Sequence, residues 1–223
     1  MIRLLEYDQK IQIWNCLIFQ YTAYLIAAKT NENIIRVIFL SLVSLVEDTA
    51  YLKSIENIMT PSFYKKKLNI LKEMQTIRKN LKKTKIYNNT PSINGILKEI
   101  ERKCKIHKMT PRNPNIWGAT VWSLLHWISL MYTKQNSLEI KNVVYLIIEH
   151  LPCSICKNHA TDYMKKNKLP INKRKREMYQ YFFNFHNSLN KQKKKPIQSQ
   201  KNMIQKITIT CIETCLLYTS PSP

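Results

Sequence analysis

The sequence predicts an all-α protein: a four-helix bundle with a short fifth helix, preceded by an additional helical N-terminal region. Three observations carry this. Only two glycines, Gly95 and Gly118, occur in 223 residues, too few for the positive-φ turns of a hairpin-rich β protein. Neither G-x-G-x-x-G nor a P-loop can be written, which argues against a Rossmann or other phosphate-loop domain. Apolar residues make up 44% of the chain, enough for an ordinary core, and they fall in long runs punctuated by proline.

In chain order, residues 1–60 read as two or three apolar helices. The run Ile11–Ala28 contains Gln12, Asn15 and Gln20, and the run Ile34–Val46 contains Arg36. Both therefore read as buried helices rather than membrane spans. Thr60-Pro61 breaks the pattern. Residues 62–86 are dense in lysine, with Leu68, Leu71, Met74 and Ile77 at helical spacing, an amphipathic basic helix. Tyr87–Pro91 is a turn cluster and Ser92–Lys105 a further short helix. Pro111 and Pro114 mark a domain boundary.

Beyond it, residues 115–133 and 137–150 form two apolar helices. Pro152 is expected to open a third at its first turn, with Cys153 at the helix N-terminus, and Leu169-Pro170 to end it. Lys173–Lys191 form a fourth, aromatic along its length, and a short fifth follows Pro196. The division is thus 1–112, a basic helical region of unassigned role; 113–214, the chemical domain; and 215–223, which read as a non-native tail resembling translated adapter sequence.

The net charge of +22 suits nucleic acid or an acidic membrane surface, met through residues 62–108. The reading placed ahead of this is lysine drift in an AT-rich coding sequence, since Lys, Asn and Ile are enriched together. Six cysteines are too sparse for a disulfide scaffold. No secretory signal is expected, because Met1–Asp8 carries both charge signs before any apolar run.

The chemistry concentrates in Leu151-Pro-Cys-Ser-Ile-Cys-Lys-Asn-His159. A thiol at a helix N-terminus is favoured as thiolate by the macrodipole, and Cys156 lies one turn along, so Cys153–Cys156 can close a reducible disulfide. Lys157 adds a cation nearby. A structural pair is the bland alternative. A Cys2His2 zinc site with His150 and His159 is another, at unusual spacing. A dithiol oxidase needs a cofactor to take two electrons. Without a glycine loop, a flavin would be held by helix side chains: aromatics against the rings, Asn and His at their edges, Lys at the pyrophosphate.

Four landmarks in order resemble the Erv/ALR sulfhydryl oxidases. Trp117-Gly118-Ala-Thr-Val-Trp122-Ser-Leu-Leu-His126 is similar to the family's W-G-x-x-x-W-x-x-L-H helix. Pro152-Cys153-Ser-Ile-Cys156-Lys-Asn-His159 is similar to its redox helix. His186-Asn187-Ser-Leu189-Asn190 resembles its H-N-x-V-N, and Lys195-Pro196 its following K-P. The spacings suit compact, virus-encoded members, and the resemblance covers about residues 113–210.

The resemblance implies a helical bundle binding FAD, usually as a homodimer, that oxidises protein dithiols and passes electrons to oxygen with release of hydrogen peroxide. Gly118, Trp122, His126, His159, Tyr163, His186, Asn187, Asn190 and Lys195 would hold the cofactor, with no metal. Cys153 would meet substrate and Cys156 the flavin. Viral members imply the cytoplasm of an infected cell or the virion. Lys193 stands where the family has leucine, Cys211 is the sole remnant of a structural disulfide, and Cys16 and Cys104 stand single, so no shuttle pair is evident. The competing reading is a basic helical module binding nucleic acid or membrane, with a structural or zinc-binding C-x-x-C.

Overall fold

A computed structural model describes residues 7–45, 75, 79 and 92–199. Among these residues there are seven helices and no strand: α1 Tyr7–Ala27, α2 Glu32–Ser44, α3 Ile93–Ile106, α4 Pro114–Met131, α5 Ser137–Glu149, α6 Ser154–Lys166 and α7 Lys175–Gln192. The all-helical expectation is met. The basic helix expected at 62–86, the helix after Pro196, Cys211 and the 215–223 tail lie wholly or mostly outside the described residues.

Local chemistry sets the ends. Lys29 takes a left-handed conformation, φ 56°, and stops α1; Thr30 N donates back to Leu25 O at 3.0 Å. Asn31 caps α2 by accepting from Asn33 N, and Glu32 follows in the first turn, where the dipole favours an acid. Asn113 does the same for α4, with Pro114 in its first turn. Between α4 and α5, Asn136 Oδ1 accepts from Thr133 N at 2.8 Å, and Thr133 Oγ1 accepts from Asn136 N at 3.2 Å. That reciprocal pair closes the connection.

One boundary differs from expectation in a way that bears on the chemistry. Pro152 does not start α6. Cys153 is the N-cap, with φ −117° and ψ 115°, and its Sγ accepts from Cys156 N at 3.1 Å. A side-chain acceptor at this position satisfies one of the helix's free amides, so the helix begins after the first cysteine.

Helix α1 is buried on nearly every side: Trp14, Phe19, Tyr21 and Leu25 are all fully covered. It packs against α2, α3 and α4, while α2 packs against α5. Two of its polar residues find partners inside the fold, while the buried Trp14 Nε1 has none. Thr120 Oγ1 donates to Gln20 Oε1 at 3.3 Å, and Gln20 Nε2 contacts Cys16 Sγ at 3.3 Å. No helix among the described residues is long and apolar enough to cross a membrane. Helix α3 turns Ile93, Ile96 and Ile100 inward. Hydrophobic contact is therefore continuous from α1 through α4 to α7. Cys16 is disulfide-bonded rather than single, and Cys104 is the free thiol among the described cysteines.

Candidate functional site

Helices α4 and α7 pack against each other, and α6 packs against α5, which it follows in the chain. Between them lies a cavity of about 570 Å³, lined by Gly118, Trp122 and His126 from α4, Cys156 and Ala160 from α6, Phe185, His186 and Asn190 from α7, and Lys195 beyond it. That volume is within the range of small-molecule and cofactor sites.

The redox pair sits at its edge. Cys153 and Cys156 form a disulfide with Cα atoms 5.2 Å apart. Cys156 lines the cavity; Cys153 does not. Both are half-buried. Cys156 therefore borders the cavity, while Cys153, partly exposed at the N-cap of the same helix, lies outside its lining.

The aromatic wall is ordered by spacing on two helices. Trp122 and His126 share a face of α4, and His186 on α7 stacks on Trp122 with ring centroids 4.1 Å apart and planes 2° apart. Phe185 meets Trp122 edge to face at 5.0 Å. His126 Nε2 and His186 Nδ1 are 3.3 Å apart, so one proton is shared along that contact. His126 is fully buried, and its Nδ1 has no partner. Burial, with His186 alongside, pushes its pKa down to about 3, so the ring is neutral. Burial also raises Tyr179 to about 12.

Two features fit a large, flat, polar-edged group. A Cβ built on Gly118 would meet nothing within 4 Å, so the glycine leaves open space on the cavity wall. The unpartnered His126 Nδ1 is a buried polar atom awaiting a hydrogen bond.

Of the residues expected to hold a cofactor, Gly118, Trp122, His126, His186, Asn190 and Lys195 are brought together on the cavity wall. The other three stand elsewhere. Tyr163 stacks behind Phe185 at 4.3 Å. His159 is exposed on α6. Asn187 turns to the chain after α7: its Oδ1 accepts from Gln198 N and its Nδ2 donates to Gln198 O, both at 3.0 Å. With left-handed Lys194, φ 51°, this double bond folds Lys195–Gln198 back over the cavity. Sequence reasoning missed Ser123, Leu151, Lys193 and Gln198, which also line it. Only Lys193 carried a signal, as the departure next to K-P.

Among the described residues, no group of three His, Cys, Asp or Glu is placed to hold a metal ion. The cysteines of the C-x-x-C are joined to each other.

Residues 119–208 match the model of the Erv1/Alr family. Two African swine fever virus proteins, each named FAD-linked sulfhydryl oxidase, from a tick isolate of Malawi and a pig isolate of Kenya, are 33% identical over 105 residues, covering 44% of this chain and 87% of theirs. Protein 096R of Invertebrate iridescent virus 3 is 32% identical over 102 residues, covering 44% of this chain and 69% of its own. No solved structure matches the chain. With that much of each relative covered at this identity, the chain belongs to the Erv1/Alr family.

Proposed function

We propose that the chain is a flavin-dependent thiol oxidase that forms disulfides in protein substrates, with residues 113–214 carrying the chemistry. The observation that carries this reading is the Cys153–Cys156 disulfide bridging the outer turn of α6 to the cavity. Family membership supports it, and the binding-module alternative is not favoured.

A substrate thiolate attacks Cys153 Sγ. The substrate–Cys153 bond forms, the Cys153–Cys156 bond breaks, and Cys156 takes the electron pair as a thiolate facing the cavity. A second substrate thiol then displaces Cys153 and leaves as a disulfide. The Cys153 thiolate is favoured by its N-cap position and by Lys157 one turn on. Bound FAD supplies a two-electron acceptor that oxygen reoxidises, giving hydrogen peroxide.

Gly118 leaves room for the cofactor, Trp122 and His186 offer ring faces, His126 Nδ1 and Asn190 offer polar edges, and Lys195 and Lys193 offer charge for a pyrophosphate. Asn187 and Tyr163 act from behind, holding the Lys195–Gln198 segment and Phe185. His159 stands exposed one turn after Cys156. Residues 1–112 contribute α1 and α2 as cover for α4 and α5.

The test is direct. Purified protein should be yellow and consume oxygen with dithiothreitol, and Cys156→Ser should retain the colour and lose turnover. A colourless protein carrying stoichiometric zinc contradicts the reading.

A further inference from the structure

Ile155 stands between the two redox cysteines and lies outside the hydrophobic core. At 66% exposure it is the most exposed large hydrophobic residue among those described. Isolated exposed apolar residues are ordinary on protein surfaces; the position of this one is not. Cys153 and Cys156 on either side are half-buried, so Ile155 projects beyond the sulfurs it separates. Ser154, Asn158 and His159 beside it are exposed and polar, and Lys157 is the only full charge between His150 and Thr161. The remaining exposed apolar side chains, such as Leu138 and Ile197, lie on other elements. Ile155 is thus the one apolar side chain among the exposed residues around the reactive bond, with Leu151 and Pro152 half-buried before Cys153.

We propose that Ile155 is a specificity-determining residue, receiving an apolar side chain next to the attacking cysteine of an extended, non-native protein dithiol. The proposal rests on the oxidase reading, since it takes Cys153 as the entry point. A polypeptide that delivers a thiolate to Cys153 Sγ must lay its neighbouring residues over the first turn of α6. There an apolar side chain removes both itself and Ile155 from water. In a folded substrate such a residue is buried against its own core. A segment still unfolded, with its cysteines reduced, has it free.

The experiment uses the full flavin-loaded chain and oxygen uptake. Substrates are dithiothreitol and two reduced unstructured dithiol peptides, differing only in leucine or serine beside the first cysteine. The native chain should prefer the leucine peptide. Ile155→Ser should lower kcat/KM for that peptide relative to dithiothreitol by about tenfold, through KM, and Ile155→Val should stay within about threefold, as expected for loss of one apolar contact. Equal use of the two peptides by the native chain overturns the proposal. So does an equal loss with dithiothreitol in Ile155→Ser, which would place the effect on the disulfide itself. Failure of the native chain to oxidise dithiothreitol instead overturns the oxidase reading, and is read separately.

Discussion

His126 is the side chain whose surroundings most constrain it. It is buried and neutral, with its pKa held down to about 3, whereas the unfolded chain protonates it near 6.5. Above pH 6.5 neither state binds the proton and stability is level. Below that the unfolded state gains the proton first, so stability falls as pH drops from about 6.5 towards 3, at up to about 1.4 kcal/mol per pH unit. Denaturant midpoints of the flavin-free chain should show this slope, and His126→Phe should flatten it. Gly118 separates fold from site even more sharply. It is helical, and a Cβ there has open space. Gly118→Ala should therefore stabilise the flavin-free chain by about 0.5–1 kcal/mol while its methyl weakens flavin binding, a pair of opposite signs measured by thermal melts and fluorescence titration. Asn187→Ala removes two bonds to Gln198. It should weaken flavin binding by about tenfold, the equivalent of about 1.4 kcal/mol, without unfolding α7.

At the scale of the helix, α6 shows what the sequence could and could not reveal. The C-x-x-C spacing made the pair adjacent on one turn, and the structure joins it. The exact start was misread, because proline at a first turn and proline just before a cap leave the same sequence mark. Only the hydrogen bond from Cys156 N to Cys153 Sγ distinguishes them. Serine is a good cap, so Cys153→Ser, which abolishes turnover and removes the Cys153–Cys156 cross-link, should melt like the dithiothreitol-reduced native chain, whereas Cys153→Ala should melt below it by about 1 kcal/mol. The aromatic faces of α4 and α7 were legible from periodicity. Asn187 was read as part of the cofactor set on a motif, yet its side chain is spent on the backbone of Gln198. That partner comes from a return of the chain that no local spacing encodes.

For the molecule as a whole, the polar residues within the first apolar run pointed to a buried helix, and Gln20 meets Thr120 across the core. Its partners were not legible, since periodicity identifies a buried face without saying what covers it. The proline-marked boundary before α4 separates the helices in sequence, but α1 lies against α4 and α2 against α5. Trp14→Ala should therefore cost about 3–5 kcal/mol, and far-UV signal and oxidase activity should be lost together across a denaturant series. Two separate transitions would show that the N-terminal helices contribute little to the catalytic bundle.

In the proposed oxidase, electrons enter at Cys153 and leave through Cys156. Anaerobic addition of dithiothreitol to the yellow chain, followed by its visible spectrum, tests it most directly. The native chain should bleach and recover its colour when oxygen is admitted. Cys156→Ser should bind flavin and stay coloured. Bleaching of Cys156→Ser at the native rate, or a native chain whose colour dithiothreitol leaves unchanged, would contradict the account.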